Sequence, residues 1–417
     1  ELAPGFKNDY TVVDNVDGKI YVLTNWKAPK SRLMQIDPAQ PSRDNWKEIL
    51  PETENVLESV NIIGGKIIAE YMIDASNHVY AFDLTGKKQY EVKLPTLGSV
   101  TAISGDKNDK EAFYVFTSYT FAPTIFILDV EKNSTTTFHK SEVKINAEDY
   151  ITEQVFYTSK DGTKVPMSIT YKKGLKKNGK NPTIVYGYGG FNISLTPGFS
   201  PATAAWIENG GVYAVPNLRG GGEYGKKWND GGRQFNKLNV FNDFIAAAEY
   251  LQKNNYTSPD FTALSGGSNG GLLVGATETI NPKIAKVALP AVGVLDMLRY
   301  HTFTAGAGWG YDYGTADDSK EMFEYLKGYS PVHNVKEGTC YPATLVTTGD
   351  HDDRVVPAHS YKFAANLQAK QACDNPVLIR IETKAGHGAG RSTEVVINET
   401  ADKYAFTLWN MGIKKLK

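Results

Sequence analysis

Up to about residue 140 the apolar positions come in short runs that alternate with polar ones, the period of a strand rather than a helix. "KIYVLT" from Lys19, "KIIAEYM" from Lys66 and "AFYVFT" from Ala112 are such runs, bounded by the turn clusters "DGK", "GGK" and "SGDKND". A second set follows them: "LMQID" ending at Asp37, "VYAFD" at Asp83 and "IFILD" at Asp129, 46 residues apart each time. A period of roughly 40 to 50 residues with several strands per unit predicts β-propeller blades. Three units are too few to close a ring, because propellers use ~4–8 blades and an open ring leaves faces and edges unpaired. The pattern therefore predicts a partial propeller of about three blades over residues 1–141, and a chain that is the C-terminal part of a larger protein.

From residue 142 the period changes, and strand-like apolar runs alternate with helical ones to residue 417. "PTIVYGYGGF" precedes a helix near Pro201 to Glu208, and "GVYAVPNLRGGGEYG" precedes the helical "NVFNDFIAAAEYLQKN". "FTALSGGSNGG" leads into "LLVGATETI", and "KVALPAVG", "PATLVTTGD" and "PVLIRIETKAG" supply further strands. "HSYKFAANLQAK" and "ADKYAFTLWNMG" are the helices between and after them. Such alternation predicts a doubly wound, mostly parallel sheet covered on both faces, with chemistry at the carboxyl ends of its strands.

Within this half, "LSGGSNGGLLVGA" (264–276) sets one serine among four glycines between a strand and a helix. Gly266, Ser268 and Gly270 fit G-x-S-x-G, and the strand-turn-helix context is that of the nucleophile elbow of α/β-hydrolases. A serine held in strained torsions needs close neighbours without a β-carbon, and the helix that follows aims free N–H groups at the site. Such a serine needs a base and then an acid, in the chain order Ser, Asp/Glu, His. Of the seven histidines, His78 and His139 precede Ser268, His301 and His333 precede any suitable acid loop, and His359 falls on a helix. His387, in the Gly-rich "KAGHGAGRS", remains as base by elimination. The acid loop "TLVTTGDHDDRVV" offers Asp350, Asp352 and Asp353, which spacing does not separate.

Composition narrows the partners. Lys and Arg number 45 against 46 Asp and Glu, so charge gives no reason to expect nucleic acid or an anionic membrane as partner. No apolar run approaches the ~20 residues of a membrane span, and the opening "ELAPGF" has neither Met nor a signal-like apolar run, as in a chain processed or cut from something longer. The histidines show no spacing such as H-E-x-x-H, so no metal and no cofactor is expected. Cys340 and Cys373 exclude a disulfide-rich scaffold. They either pair, in an exported protein, or stay as buried thiols in a reducing compartment.

Taken together, "YGYGGFNIS", "NLRGGGEYG", "GGSNGGLLV", "VGVLDMLRYH", "YSPVHNV", "DHDDRVVPAHS" and "AGHGAGRST" resemble the prolyl oligopeptidase family of serine peptidases. The resemblance runs from near the N-terminus to the end of the chain. It implies a seven-bladed propeller joined to an α/β-hydrolase domain that cleaves short peptides after proline; the family's N-terminal hydrolase segment and its earlier blades are missing here. Matched motif by motif, it implies Ser268 as nucleophile, Asp352 as acid and His387 as base, with the Asn269 N–H and the Tyr188 hydroxyl as oxyanion donors. It also implies that Trp309 stacks on the substrate proline and that Phe191, Val294, Tyr313 and Val355 wall its pocket. Arg354 would bind a substrate carbonyl ahead of the scissile proline. The expected partners are short proline-containing peptides met by a monomer, in a periplasm or cytoplasm that the sequence does not separate, exported bacterial relatives favouring the periplasm. An incomplete propeller lid implies weaker exclusion of large substrates. The competing readings are an acyl-peptide hydrolase or dipeptidyl peptidase on the same architecture, and an inactive propeller-based binding protein.

Overall fold

The computed structural model describes residues 3, 5, 7–388 and 390–414. They form two compact units: one built on the chain up to Ala147 together with Ser194–Ser200 and Gly222–Trp228, the other on Glu148–Ile193, Pro201–Gly221 and the chain from Asn229 onward.

The first unit holds three antiparallel sheets of four consecutive strands each. They are β1 (Tyr10–Val16), β2 (Lys19–Thr24), β3 (Arg32–Ile36) and β4 (Lys47–Leu50); β5 (Val56–Ile63), β6 (Lys66–Ile73), β7 (Ser76–Asp83) and β8 (Lys88–Val92); and β9 (Ser99–Ser104), β10 (Glu111–Thr117), β11 (Thr124–Asp129) and β12 (Ser134–Lys140). The recurring aspartate ends or immediately follows the third strand of every sheet. Its carboxylate accepts the backbone N–H two residues on, at 2.9 Å for Asp37 and Asp83 and 3.0 Å for Asp129. That local bond turns the chain toward the fourth strand, the reason an Asp rather than an apolar residue repeats there. Leu33 and Leu50 of the first sheet pack on Ile67 and Ala69 of the second, whose Ile68 and Ala81 pack on Tyr114 and Phe116 of the third. β6 is thus apolar on both faces instead of alternating.

The second unit is an eight-stranded sheet of β13 (Tyr150–Thr158), β14 (Lys164–Lys172), β15 (Thr183–Tyr186), β16 (Val212–Pro216), β17 (Thr262–Gly267), β18 (Val287–Ala291), β19 (Ala343–Gly349) and β20 (Val377–Glu382). Their order is β13-β14-β16-β15-β17-β18-β19-β20, and every pair from β16–β15 onward is parallel. Parallel neighbours need crossovers. Here these run through α1 (Pro201–Glu208), α2 (Lys237–Lys253), α3 (Asn269–Ile280), α4 (Lys320–Tyr329) and α5 (Ala358–Lys370), before α6 (Thr393–Asn410) ends the fold. Leu345 packs with Trp206 of α1 and Leu408 of α6, while its neighbour Val346 packs with Phe363 of α5, so helices cover both faces. The antiparallel β13–β14 pair was not anticipated from sequence; the turn that closes it carries an Asp-Gly pair with Gly162 at φ +90°. Among the described residues no helix is long and apolar enough to cross a membrane.

Cys340 and Cys373 resolve the choice left open by sequence: they form a disulfide with a Cα–Cα separation of 5.2 Å, tying the entry of β19 to that of β20. Closing a loop of 33 residues this way stabilises by ~2–4 kcal/mol in the chain-entropy picture.

One buried acid stands out in this core. Glu278 of α3 is fully buried and accepts a hydrogen bond from Thr344 Oγ1 at 2.8 Å, and its other oxygen has no partner among the described residues. Burial pushes its pKa up to about 8. The folded state therefore keeps a proton that the unfolded chain releases above its ordinary value. The share of stability that Glu278 contributes should fall as pH rises from about 4.5 to 8, by up to ~1.4 kcal/mol per pH unit, and level off beyond. Glu278→Gln removes this share, making the slope shallower, while keeping an acceptor for Thr344; urea midpoints at pH 5 and pH 8 for both proteins measure it, and equal slopes would contradict the assignment.

Candidate active site

β17 ends at Gly267 and α3 begins at Asn269, so Ser268 alone makes the turn. It does so at φ +59°, ψ −118°, a conformation that costs a non-glycine residue roughly 1–3 kcal/mol. Hydrogen bonds hold it there: its N–H donates to Ala291 O at 2.9 Å, and its carbonyl accepts from Gly271 N at 2.9 Å and Leu272 N at 3.1 Å. The neighbouring glycines are required by proximity. A β-carbon on Gly266 would lie 2.4 Å from Gly270 O, and one on Gly270 would lie 2.5 Å from Gly187 O. A helix N-terminus directly behind the serine favours negative charge at its hydroxyl.

Tyr188 lies beside Ser268, and its pKa is pushed up to about 12, chiefly by burial and then by the charge of Asp312. The phenol is therefore a stable proton donor at neutral pH. Asn269 is buried; its Nδ2 donates to Tyr188 O at 2.5 Å, and its Oδ1 accepts from Lys237 Nζ at 3.0 Å and from the Tyr313 hydroxyl at 2.9 Å. Lys237 and Asp312, neither of them singled out by sequence reasoning, form a buried ion pair at 3.2 Å. No local sequence pattern marks Lys237.

Asp352 and His387 lie on the loops after β19 and β20. His387 Nδ1 is 2.7 Å from Asp352 Oδ2, while Asp352 Oδ1 accepts from Arg354 N at 3.0 Å and Val355 N at 2.8 Å. With Oδ1 occupied by backbone donors, the buried carboxylate turns Oδ2 to the imidazole. Asp350 is engaged elsewhere, with His351 Nδ1 at 2.6 Å and Lys384 N at 2.7 Å, and Asp353 is exposed. Among the described residues no hydrogen bond joins Ser268 to His387, so the His387–Asp352 pair is formed independently of the Ser268 turn. His359 is a core residue: buried on α5, it accepts from Asp296 N at 3.0 Å, and burial pushes its pKa down to about 4.

Around these groups, Trp309 is half-buried and parallel to the Tyr300 ring, centroids 6.1 Å apart. Phe191 meets Tyr313 edge-on at 5.4 Å. Val294, Val355 and Tyr313 are buried, and the Arg354 side chain is exposed. Tyr313, with its hydroxyl on Asn269, supports the site from beneath.

A parallel sheet that delivers a serine on a left-handed turn at a helix N-terminus defines an α/β-hydrolase. Comparison with known proteins is more specific. Residues 197–414, just over half the chain, match the profile described as Prolyl oligopeptidase family, and residues 1–141 match that described as Prolyl oligopeptidase, N-terminal beta-propeller domain. The chain belongs to the prolyl oligopeptidase family. The prolyl endopeptidase of Elizabethkingia meningoseptica is 60% identical over all of this chain and 59% of its own length, and that of Dictyostelium discoideum is 40% identical over 97% of this chain and 55% of its own. The chain thus spans less than two thirds of the relatives it matches. A solved structure from a study of two prolyl endopeptidases and the role of their inter-domain dynamics superposes with a TM-score of 0.95 at 44% identity, covering 99% of this chain and 61% of that one.

The glycine requirement can be checked at two adjacent positions. Gly266→Ala should destabilise the protein by ~1–3 kcal/mol, because backbone atoms must move. Gly267→Ala, whose β-carbon would find its nearest neighbour at 3.8 Å, should melt close to the parent temperature. Equal melting temperatures for the two would contradict the packing argument.

Proposed function

We propose that this chain carries the catalytic machinery of a serine endopeptidase that hydrolyses short peptides on the carboxyl side of proline, with residues 142–417 as catalytic domain and the three sheets of residues 1–141 as part of a propeller. The observation that carries the reading is the strained Ser268 turn, with the Tyr188 phenol beside it and the His387–Asp352 pair already formed. His387 takes the Ser268 proton as Oγ attacks the scissile carbonyl, then gives it to the leaving amine; Asp352, bound to Nδ1, keeps Nε2 as the reacting nitrogen. Nε2 reaches Ser268 in the substrate complex, where catalytic hydrogen bonds tighten. The tetrahedral oxyanion is held by the Tyr188 hydroxyl and the Asn269 N–H. Each such donor is typically worth ~10²–10³ in rate. Water then repeats the cycle on the acyl-enzyme.

Proline after acylation leaves no N–H to read, so recognition falls to shape: its ring stacks on Trp309 beside Phe191, Val294, Tyr313 and Val355. Arg354 shares a loop with Asp352, so carbonyl binding and the acid are set by one turn. Relatives named prolyl endopeptidase support this specificity. The protein acts as a monomer, and the Cys340–Cys373 bridge supports an oxidising compartment such as the periplasm.

Initial rates on Gly-Pro and Gly-Ala reporter amides test the reading. The Gly-Pro substrate should be favoured by at least roughly 10–200-fold, the range a shape-selective apolar pocket supplies. Ser268→Ala should abolish turnover and Trp309→Ala should erode the preference. Equal turnover of the two reporters, or activity surviving in Ser268→Ala, would sink it.

A further inference from the structure

The backbone from Tyr188 to Phe191 is held at three points by buried polar side chains from elsewhere in the fold. Tyr188 O takes Asn269 Nδ2, Gly189 O takes Lys237 Nζ at 3.0 Å, and Phe191 N donates to Asp312 Oδ1 at 2.9 Å. The segment needs holding: Phe191 and Asn192 both have positive φ, at 56° and 57°, without being glycine. Lys237 makes the arrangement one unit. Its three N–H donors are all used, on Gly189 O, Asn269 Oδ1 and Asp312 Oδ2, and it is 1% exposed.

A buried ion pair is a poor way to stabilise a fold, since desolvation offsets most of its attraction and apolar replacements of similar volume are often neutral or better. Its particular virtue is geometric: charges bonded on several sides admit few arrangements. Here both Asp312 oxygens and all three Lys237 donors are engaged, next to the phenol that lies beside Ser268. We propose that Lys237 and Asp312 are positioning residues, a buried clamp that fixes the Tyr188 hydroxyl where the oxyanion forms. The proposal rests on the peptidase reading and extends it to two residues that touch neither substrate nor reacting atoms. They act through Tyr188, whose oxyanion contact exists fully only in the transition state, so their loss lowers kcat and leaves KM nearly unchanged.

The test is a cycle of variants in the full chain. Lys237→Met alone strands the Asp312 carboxylate and should melt lower. Lys237→Met/Asp312→Asn removes that penalty and keeps an acceptor for Phe191 N–H, so it carries the measurement. On a Gly-Pro reporter amide its kcat should fall at least tenfold with KM within twofold of the parent. In a Tyr188→Phe background the same pair of changes should cost less than threefold, because the group being positioned is gone. Unchanged kcat in the folded double variant, an equal loss in the Tyr188→Phe background, or failure of the double variant to fold would each overturn the clamp in favour of a structural role. If the unmodified chain turns over no reporter, the peptidase reading fails for this chain. Crystal structures then decide the clamp: a Tyr188 hydroxyl displaced by an ångström or more in the double variant supports it, and an unmoved one overturns it.

Discussion

The site depends on how closely three stretches of backbone approach one another beneath Ser268. The Gly187 carbonyl, Gly266 one residue before the end of β17 and Gly270 in the first turn of α3 are packed so that no β-carbon fits among them. That packing forces the chain to reverse within one residue, and the residue that reverses is the serine. Its positive φ, its place at a helix N-terminus and its proximity to Tyr188 follow from the same approach. α3 then runs through the core, buried from Asn269 to Glu278, which anchors the turn and places an acid at its far end, one of its oxygens unpaired among the described residues.

The other half of the site has a different origin. Asp352 and His387 are far apart in sequence, but β19 and β20 are parallel neighbours whose last paired residues are Gly349 and Glu382. The two loops therefore leave the sheet side by side. Asp350 N bonds Glu382 O at 3.1 Å and His351 N bonds Ala385 O at 3.0 Å, and a β-carbon on Gly349 would meet Ala385 O at 2.3 Å. Asp352 meets His387 because two adjacent strands end at the same level, and the backbone donors of Arg354 and Val355 set Asp352 apart from Asp350 and Asp353.

What could be read from sequence follows from what is local. The 46-residue repeat was legible because each Asp makes its turn with its own neighbours, and the elbow because close approach leaves only glycine. The alternation after residue 142 gave the parallel part of the sheet, while the β13–β14 hairpin passed unnoticed because nothing singled out its strands. The choice of acid was invisible to spacing, since it rests on which carboxylate meets backbone donors in space. Lys237 and Asp312 were invisible for the same reason: 75 residues separate them, and their partnership exists only once α2 and the 310–313 turn are folded together. The fate of the two cysteines, open on composition, is decided by the 5.2 Å between their Cα atoms.

The account stands on one chemical claim, that His387 makes the Ser268 hydroxyl a nucleophile. Treatment with a fluorophosphonate, followed by intact mass and peptide mapping, measures it directly. The account predicts one adduct per chain, located on Ser268, with labelling slowed by several orders of magnitude in His387→Ala. No adduct, an adduct on another residue, or labelling at the parent rate without His387 would contradict it.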